Sequence, residues 1–124
     1  MVFRERGASL CRRHPEKTAA GEDALVPVQW FYEVSAVLSR EQNRGTLVAP
    51  KAEDFIAELQ ALRIAADAES AARVFGDVHG LALAYRLTSY DAAYLELALR
   101  RTPPLATLDD DLIRASKAAG ITVL

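Results

Sequence analysis

Cysteine is almost absent from this chain: Cys11 stands alone in 124 residues. A single thiol cannot close an internal disulfide, so the chain is built without covalent staples, which fits a reducing cytoplasm. No motif surrounds Cys11 to make it a nucleophile, and neither His14 nor His79 stands at a spacing that would complete a zinc site with it. Long apolar runs are missing too. Mean hydropathy is +0.02, and no stretch approaches the roughly 20 residues that a membrane-spanning helix requires. The opening "MVFRERGASLCRRHPEK" has arginines but no apolar core, so it does not read as a secretion signal. Nor is there an overall positive field. Fifteen Lys and Arg against seventeen Asp and Glu leave a net charge of −2, so any hold on nucleic acid must come from a local patch or a metal ion. Glycine-rich phosphate loops, the GxSxG elbow, internal repeats and low-complexity tracts are all absent.

What is present suits one domain with a single core: 51% of residues are hydrophobic and 26% charged. Residues 1–23 read as an irregular segment outside the domain. They hold Arg4, Arg6, Arg12, Arg13, Pro15 and two glycines, follow neither helical nor strand periodicity, and offer at most one helical turn in "PEKTAA". From Ala24 onward the pattern changes. "ALVPVQW" is a short apolar strand-like run leading into a helix whose Trp30, Val34, Val37 and Leu38 share one face, ended by Arg44 and Gly45. Pro50 opens a second helix with a stripe of Ala52, Phe55, Ile56, Leu59 and Leu62. "RIAAD" is a brief strand. A third helix starts near Glu69 and is expected to break near Gly80. Thr88 or Ser89 caps a fourth helix that runs to about Arg101 and is apolar nearly all round, so it belongs in the interior. "PLATL" is a strand without polar alternation, "DDDLIRASKAAG" a capped helix, and "ITVL" a last strand. Short strands alternating with helices give an α/β fold with a mostly parallel sheet.

Three acids stand where chemistry and ordinary helix construction make the same demand. Glu33 borders the apolar face of the first long helix; it is either an early-helix acid favoured by the dipole or a buried carboxylate in need of a partner. Asp91 completes "TSYD", which is close to a capping box, yet it also heads a buried helix at what could be a cleft. Asp109 follows a strand and begins a helix, as an N-cap does, with Asp110 and Asp111 in the first turn. It also stands at the carboxyl end of a parallel strand, where α/β proteins keep their sites. Together the three could meet at one edge of the sheet. Carboxylates so gathered repel one another unless a hard cation such as Mg²⁺ or Mn²⁺ neutralises them. The competing view is a generic α/β module whose acids only cap helices.

"LTSYDAAYLELALRRTPPLATLDDDLIRASKAAGITVL" resembles the C-terminal half of a PIN domain, in particular the VapC-type ribonuclease toxins of bacterial toxin–antitoxin pairs. "VPVQWFYEVSAVLSREQNRGTL" is similar to the part of that family holding its second acid, and the resemblance spans about residues 24–124. It implies a PIN-like three-layer fold, a mostly parallel short-stranded sheet flanked by helices. It also implies that Glu33, Asp91 and Asp109 are the site acids, holding Mg²⁺ or Mn²⁺, with Asp111 as a further ligand or water-holder and Thr107 as a site-facing hydroxyl. The implied activity is endonucleolytic hydrolysis of RNA by a metal-activated water, in a cytoplasmic homodimer silenced by a cognate antitoxin. One part of the pattern is missing. The family opens with an apolar strand that runs through the middle of the sheet and ends in an aspartate. The early acids here, Glu5, Glu16, Glu22 and Asp23, follow no apolar run. The expectation is therefore a domain that lacks that strand and one acid, as a truncated, misassigned or frameshifted start would leave it. Two neighbouring strands would then carry unpaired backbone groups at ~1–3 kcal/mol each. The alternative function is a catalytically defective relic or decoy that binds antitoxin or dimerises without cutting RNA.

Overall fold

The computed structural model of the chain describes residues 10–12, 24–101 and 104–124. Glu5, Glu16, Glu22, Asp23, His14 and the "PEKTAA" turn lie outside them. The elements run in the order β1 (Leu10–Arg12), β2 (Ala24–Val26), α1 (Gln29–Asn43), α2 (Ala49–Ala61), β3 (Ile64–Ala66), α3 (His79–Tyr85), α4 (Ser89–Arg101), β4 (Leu105–Ala106) and α5 (Asp110–Ala118). The fold is mixed α/β and mostly helical, with a sheet of very short strands.

The strand order is β3-β2-β1-β4. β2 and β3 are parallel, with Leu25 opposite Ala65. β1 is antiparallel to both β2 and β4, so β4 points the same way as β2 and β3. "ITVL" adds only a parallel bridge from Val123 to Leu105, closed by the Leu105 N–H to Thr122 and the Leu124 N–H to Leu105, each 2.9 Å. Three of the four strands thus share one direction, and the reversed β1 between β2 and β4 makes two of the three strand pairings antiparallel. That strand corrects the expected gap: Leu10–Arg12 fills the slot between β2 and β4. The reason is that exposed N–H and C=O groups on two facing edges can recruit any extended triplet, whatever its side-chain pattern. No acid flanks it, because Ser9 precedes and Arg13 follows. The strand therefore restores backbone pairing without restoring a carboxylate.

The core lies between the sheet and α4. Every residue from Ala92 to Ala98 is buried, and Tyr94, Leu95, Leu97 and Ala98 are fully enclosed. Leu25, Val26, Trp30, Val34, Leu38, Leu105, Leu112 and Ala115 pack around them. α4 is not buried all round as its apolar composition suggests, for Tyr90 and Leu99 are exposed. α1 ends as expected, with Gly45 at φ +77°, a left-handed conformation that glycine adopts at little cost. α2 buries only Ala52 fully, while Ile56 and Leu62 of its stripe are exposed. The expected break near Gly80 does not occur. Instead the irregularity comes earlier: a 3₁₀ turn at Ala71–Arg73 passes into a π-helical turn at Val74–Val78 and then into α3. Gly76 sits inside that widened turn.

Candidate functional site

Glu33 lies in the second turn of α1, because the helix begins at Gln29 and has no acid in its first turn. The dipole therefore does not account for it. Its carboxylate sits half-buried facing α4, where the Tyr94 hydroxyl donates to Oε2 at 3.1 Å. Burial outweighs that hydrogen bond, and the nearby charge of Asp91 adds to it, so the Glu33 carboxyl is pushed up to about 7.

Asp91 enters α4 behind a cap supplied by Thr88. The Asp91 N–H donates to Thr88 Oγ1 at 3.1 Å and the Ala92 N–H to the Thr88 carbonyl at 2.9 Å, so Thr88 caps the helix as "TSYD" suggests. The Asp91 carboxyl is nevertheless raised. Burial is the main cause, the charge of Asp109 the next, and Asp111 adds to it, against a hydrogen bond with Thr88. Asp109 leaves β4 in an extended conformation and caps α5, its carboxylate accepting the Leu112 N–H at 2.9 Å. Buried Thr107 receives the Asp109 N–H at 3.1 Å and so fixes the turn. Capping is thus a real duty of Asp109. Asp111 is on the rim, exposed and 3.8 Å from Arg114.

Asp91 feels the charges of Asp109 and Asp111, and Glu33 feels that of Asp91. Glu33 follows β2 in the chain and Asp109 follows β4, two strands that run in the same direction. Among the described residues, no three carboxylate, histidine or cysteine side chains lie close enough as they stand to hold one ion. The donor set is nonetheless entirely hard oxygen, the chemistry that Mg²⁺ and Mn²⁺ take. The ion pairs formed by the described residues leave Glu33, Asp91 and Asp109 without a cation.

The other end of α4 shows the opposite treatment of buried acids. Asp67, just past β3, has a side chain 1% exposed, and Glu96 on α4 is nearly as buried. Arg100 lies between them. It donates to both Asp67 oxygens, to both Glu96 oxygens and to Glu69, with the Nε–Oε1 distance to Glu96 at 2.7 Å. Ser70 donates to Asp67 at 2.6 Å. Burial works against the Asp67 charge, but hydrogen bonds from Arg100 and Ser70 and the charges of Arg100 and Arg101 prevail, holding its carboxyl at about 2. Arg100, a cation in the last turn of α4 where a solvated side chain is the default, is only 13% exposed. The i,i+4 spacing of Glu96 and Arg100 was the available signal. Nothing in the local pattern marks Tyr94 or Gln29 as polar partners at this site; the one signal is that Tyr94 stands one turn after Asp91.

No family model matches the chain. Ribonuclease VapC3 of Pyrobaculum aerophilum is 38% identical to it over 81 residues. The matched span is 65% of this chain and 62% of that protein, so less than two thirds of the relative's length is represented. The likeness supports a VapC-like relationship. Among the described residues, no helix is long and apolar enough to cross a membrane.

Proposed function

We propose that the chain is a PIN-type endoribonuclease of a toxin–antitoxin pair that depends on Mg²⁺ or Mn²⁺, with Glu33, Asp91 and Asp109 as its working acids. The observation that carries the reading is the contrast along α4. Acids at one end are buried and neutralised by arginine. Acids at the other end are half-buried, mutually repelling and without a cationic partner among the described residues. Leaving charges in that state is costly unless a proton or a cation neutralises them. The likeness to a protein named as a ribonuclease points to the same chemistry.

Glu33, Asp91 and Asp109 would hold the ion, with Asp111 on the solvent side as a further ligand. A divalent ion there supplies neutralisation of the carboxylates, a lowered pKa for a bound water and a counter-charge for the leaving oxygen of a phosphodiester. The chain's own residues set the stage: Thr88 and Thr107 fix the backbone turns that carry Asp91 and Asp109, and Tyr94 anchors Glu33. RNA is the proposed substrate. A cognate antitoxin and a second copy of the chain are the proposed partners; Phe75 at 96% and Leu83 at 71% exposure are apolar surface that suits a protein contact.

The test is cleavage of RNA by the purified chain with Mg²⁺ or Mn²⁺, beside an Asp91→Asn control. Metal-dependent cutting that disappears in the control supports the reading. A folded chain that does not cut favours the second reading, a relic that binds antitoxin without cleaving. Two observations recommend that alternative: no acid flanks β1, and no three site acids converge among the described residues.

A further inference from the structure

We infer that Tyr94 and Gln29 are positioning residues which fix the oxygen that Glu33 offers to a cation; this rests on the metal-site reading above. Tyr94 is completely enclosed on the buried stretch of α4. A phenylalanine would fill the same space, so packing does not explain the hydroxyl. A buried hydroxyl needs a partner, and this one reaches across to α1 and donates to Glu33 Oε2 at 3.1 Å. The side-chain amide of Gln29 in turn hydrogen-bonds Tyr94, and its Nε2 also donates to the Tyr90 carbonyl at 2.7 Å. Gln29 and Glu33 are one turn apart on α1, and Tyr90 and Tyr94 are one turn apart on α4. The two i,i+4 pairs face each other and form a directional chain: the Gln29 amide to Tyr94, the Tyr94 hydroxyl to Glu33.

The consequence is specific. Tyr94 occupies one acceptor position on Oε2 of Glu33 and so fixes the plane of the carboxylate, which sets how its remaining oxygen lone pairs would face a cation. The chain also holds the carboxylate still before any ion arrives. Outer-shell hydrogen bonds of this sort typically set metal affinity by about 10–100-fold. Tyr94 and Gln29 touch neither the ion nor RNA in this scheme; they act through Glu33.

The experiment uses the full chain and four forms: wild type, Tyr94→Phe, Glu33→Gln and the double variant. Mn²⁺ binding is followed by electron paramagnetic resonance, and the Glu33 side-chain rotamer by NMR scalar couplings without metal. Tyr94→Phe is expected to keep the native circular dichroism spectrum, to bind Mn²⁺ about 10–100-fold more weakly, and to turn a single Glu33 rotamer into an average. In the Glu33→Gln background the same substitution should change affinity by less than about twofold, because the two residues act as one unit. An unchanged Glu33 rotamer, or an equal loss of affinity in both backgrounds, overturns the inference. If wild type binds no Mn²⁺ beyond an Asp91→Asn/Asp109→Asn control, the metal-site reading fails, and the Glu33 couplings alone decide whether Tyr94 positions it. If Tyr94→Phe does not fold, Gln29→Ala takes its place: rotamer averaging at Glu33 supports the inference and an unchanged rotamer overturns it.

Discussion

Replacing Asp67 with asparagine should make the domain less stable at neutral pH and have little effect in acid. The substitution keeps the shape and the Ser70 contact but removes the charge that Arg100 grips at both oxygens. The carboxyl, ordinarily at 3.8, is held at about 2 in the fold. At roughly 1.4 kcal/mol per unit that difference stabilises the native state by about 2 kcal/mol at pH 7. The side chain is 1% exposed, so no solvent discount applies. Losing one partner of a fully buried pair can cost 3–5 kcal/mol, but Arg100 keeps Glu96 and Glu69, so the lower figure is expected. The sign follows from a depressed folded pKa: the stabilisation is present above about pH 4 and disappears as the pH falls towards 2. Near pH 3 it should be about 1 kcal/mol. Urea unfolding of wild type and Asp67→Asn at pH 7 and at intervals down to about pH 3 measures this. The midpoint difference should shrink with acid while the slope stays the same. Equal stability at pH 7, or a difference that does not change with pH, refutes the reasoning.

Other outcomes follow from single contacts. Asp109→Asn should keep the α5 cap and lose RNA cleavage, whereas Asp109→Ala should lose cleavage and also cost about 1 kcal/mol in thermal unfolding. In a chelator, stability should fall as pH rises from about 4.5 to about 7, the span over which Glu33 is protonated in the fold but not in the unfolded chain; Glu33→Gln should flatten that slope in a calorimetric melt. Gly120→Ala should destabilise by about 1 kcal/mol because Gly120 has φ +79°, whereas Gly76→Ala, in helical backbone with nothing within 4 Å of the added carbon, should be neutral or mildly stabilising in the same unfolding assay.

The sequence announced elements through apolar period and caps, and those were the reliable parts. α4 was legible because seven consecutive residues are buried and Thr88 caps them, and α5 because Asp109 caps and Gly120 closes. β1 was not legible. Three residues carry too short a pattern to register, and backbone pairing across an open slot requires none. The π-helical turn was missed for a related reason: glycine weakens a helix in any propensity scale, but only the tertiary setting decides whether the result is a break or a widened turn. At the site, the acids could be named but not their state. Burial raises the Glu33 carboxyl against the Tyr94 hydrogen bond, with Asp91 adding to the rise, and the Tyr94 contact joins residues 61 positions apart. Asp67 depends on Arg100, 33 positions away. Local spacing reports partners within one turn and is blind to those brought in by the sheet.

That distinction bears on what the acids are for. α4 places Asp91 at one end and Glu96 with Arg100 at the other, so one helix in one core supplies its own comparison. At the Asp67 and Glu96 end, Arg100 lies between the carboxylates and the Asp67 carboxyl is held well below its ordinary value. Where Glu33 and Asp91 stand, the neighbours are a tyrosine hydroxyl, a threonine cap and further acids, and both carboxyls are pushed up. Capping explains Asp109 and the backbone of Asp91, but it does not explain why half-buried Glu33, outside the first turn, faces another carboxylate. A chain selected for stability alone would gain by placing a cation or an apolar residue there. On the proposed reading, a positive ligand from solution would end that repulsion, as a proton does at lower pH.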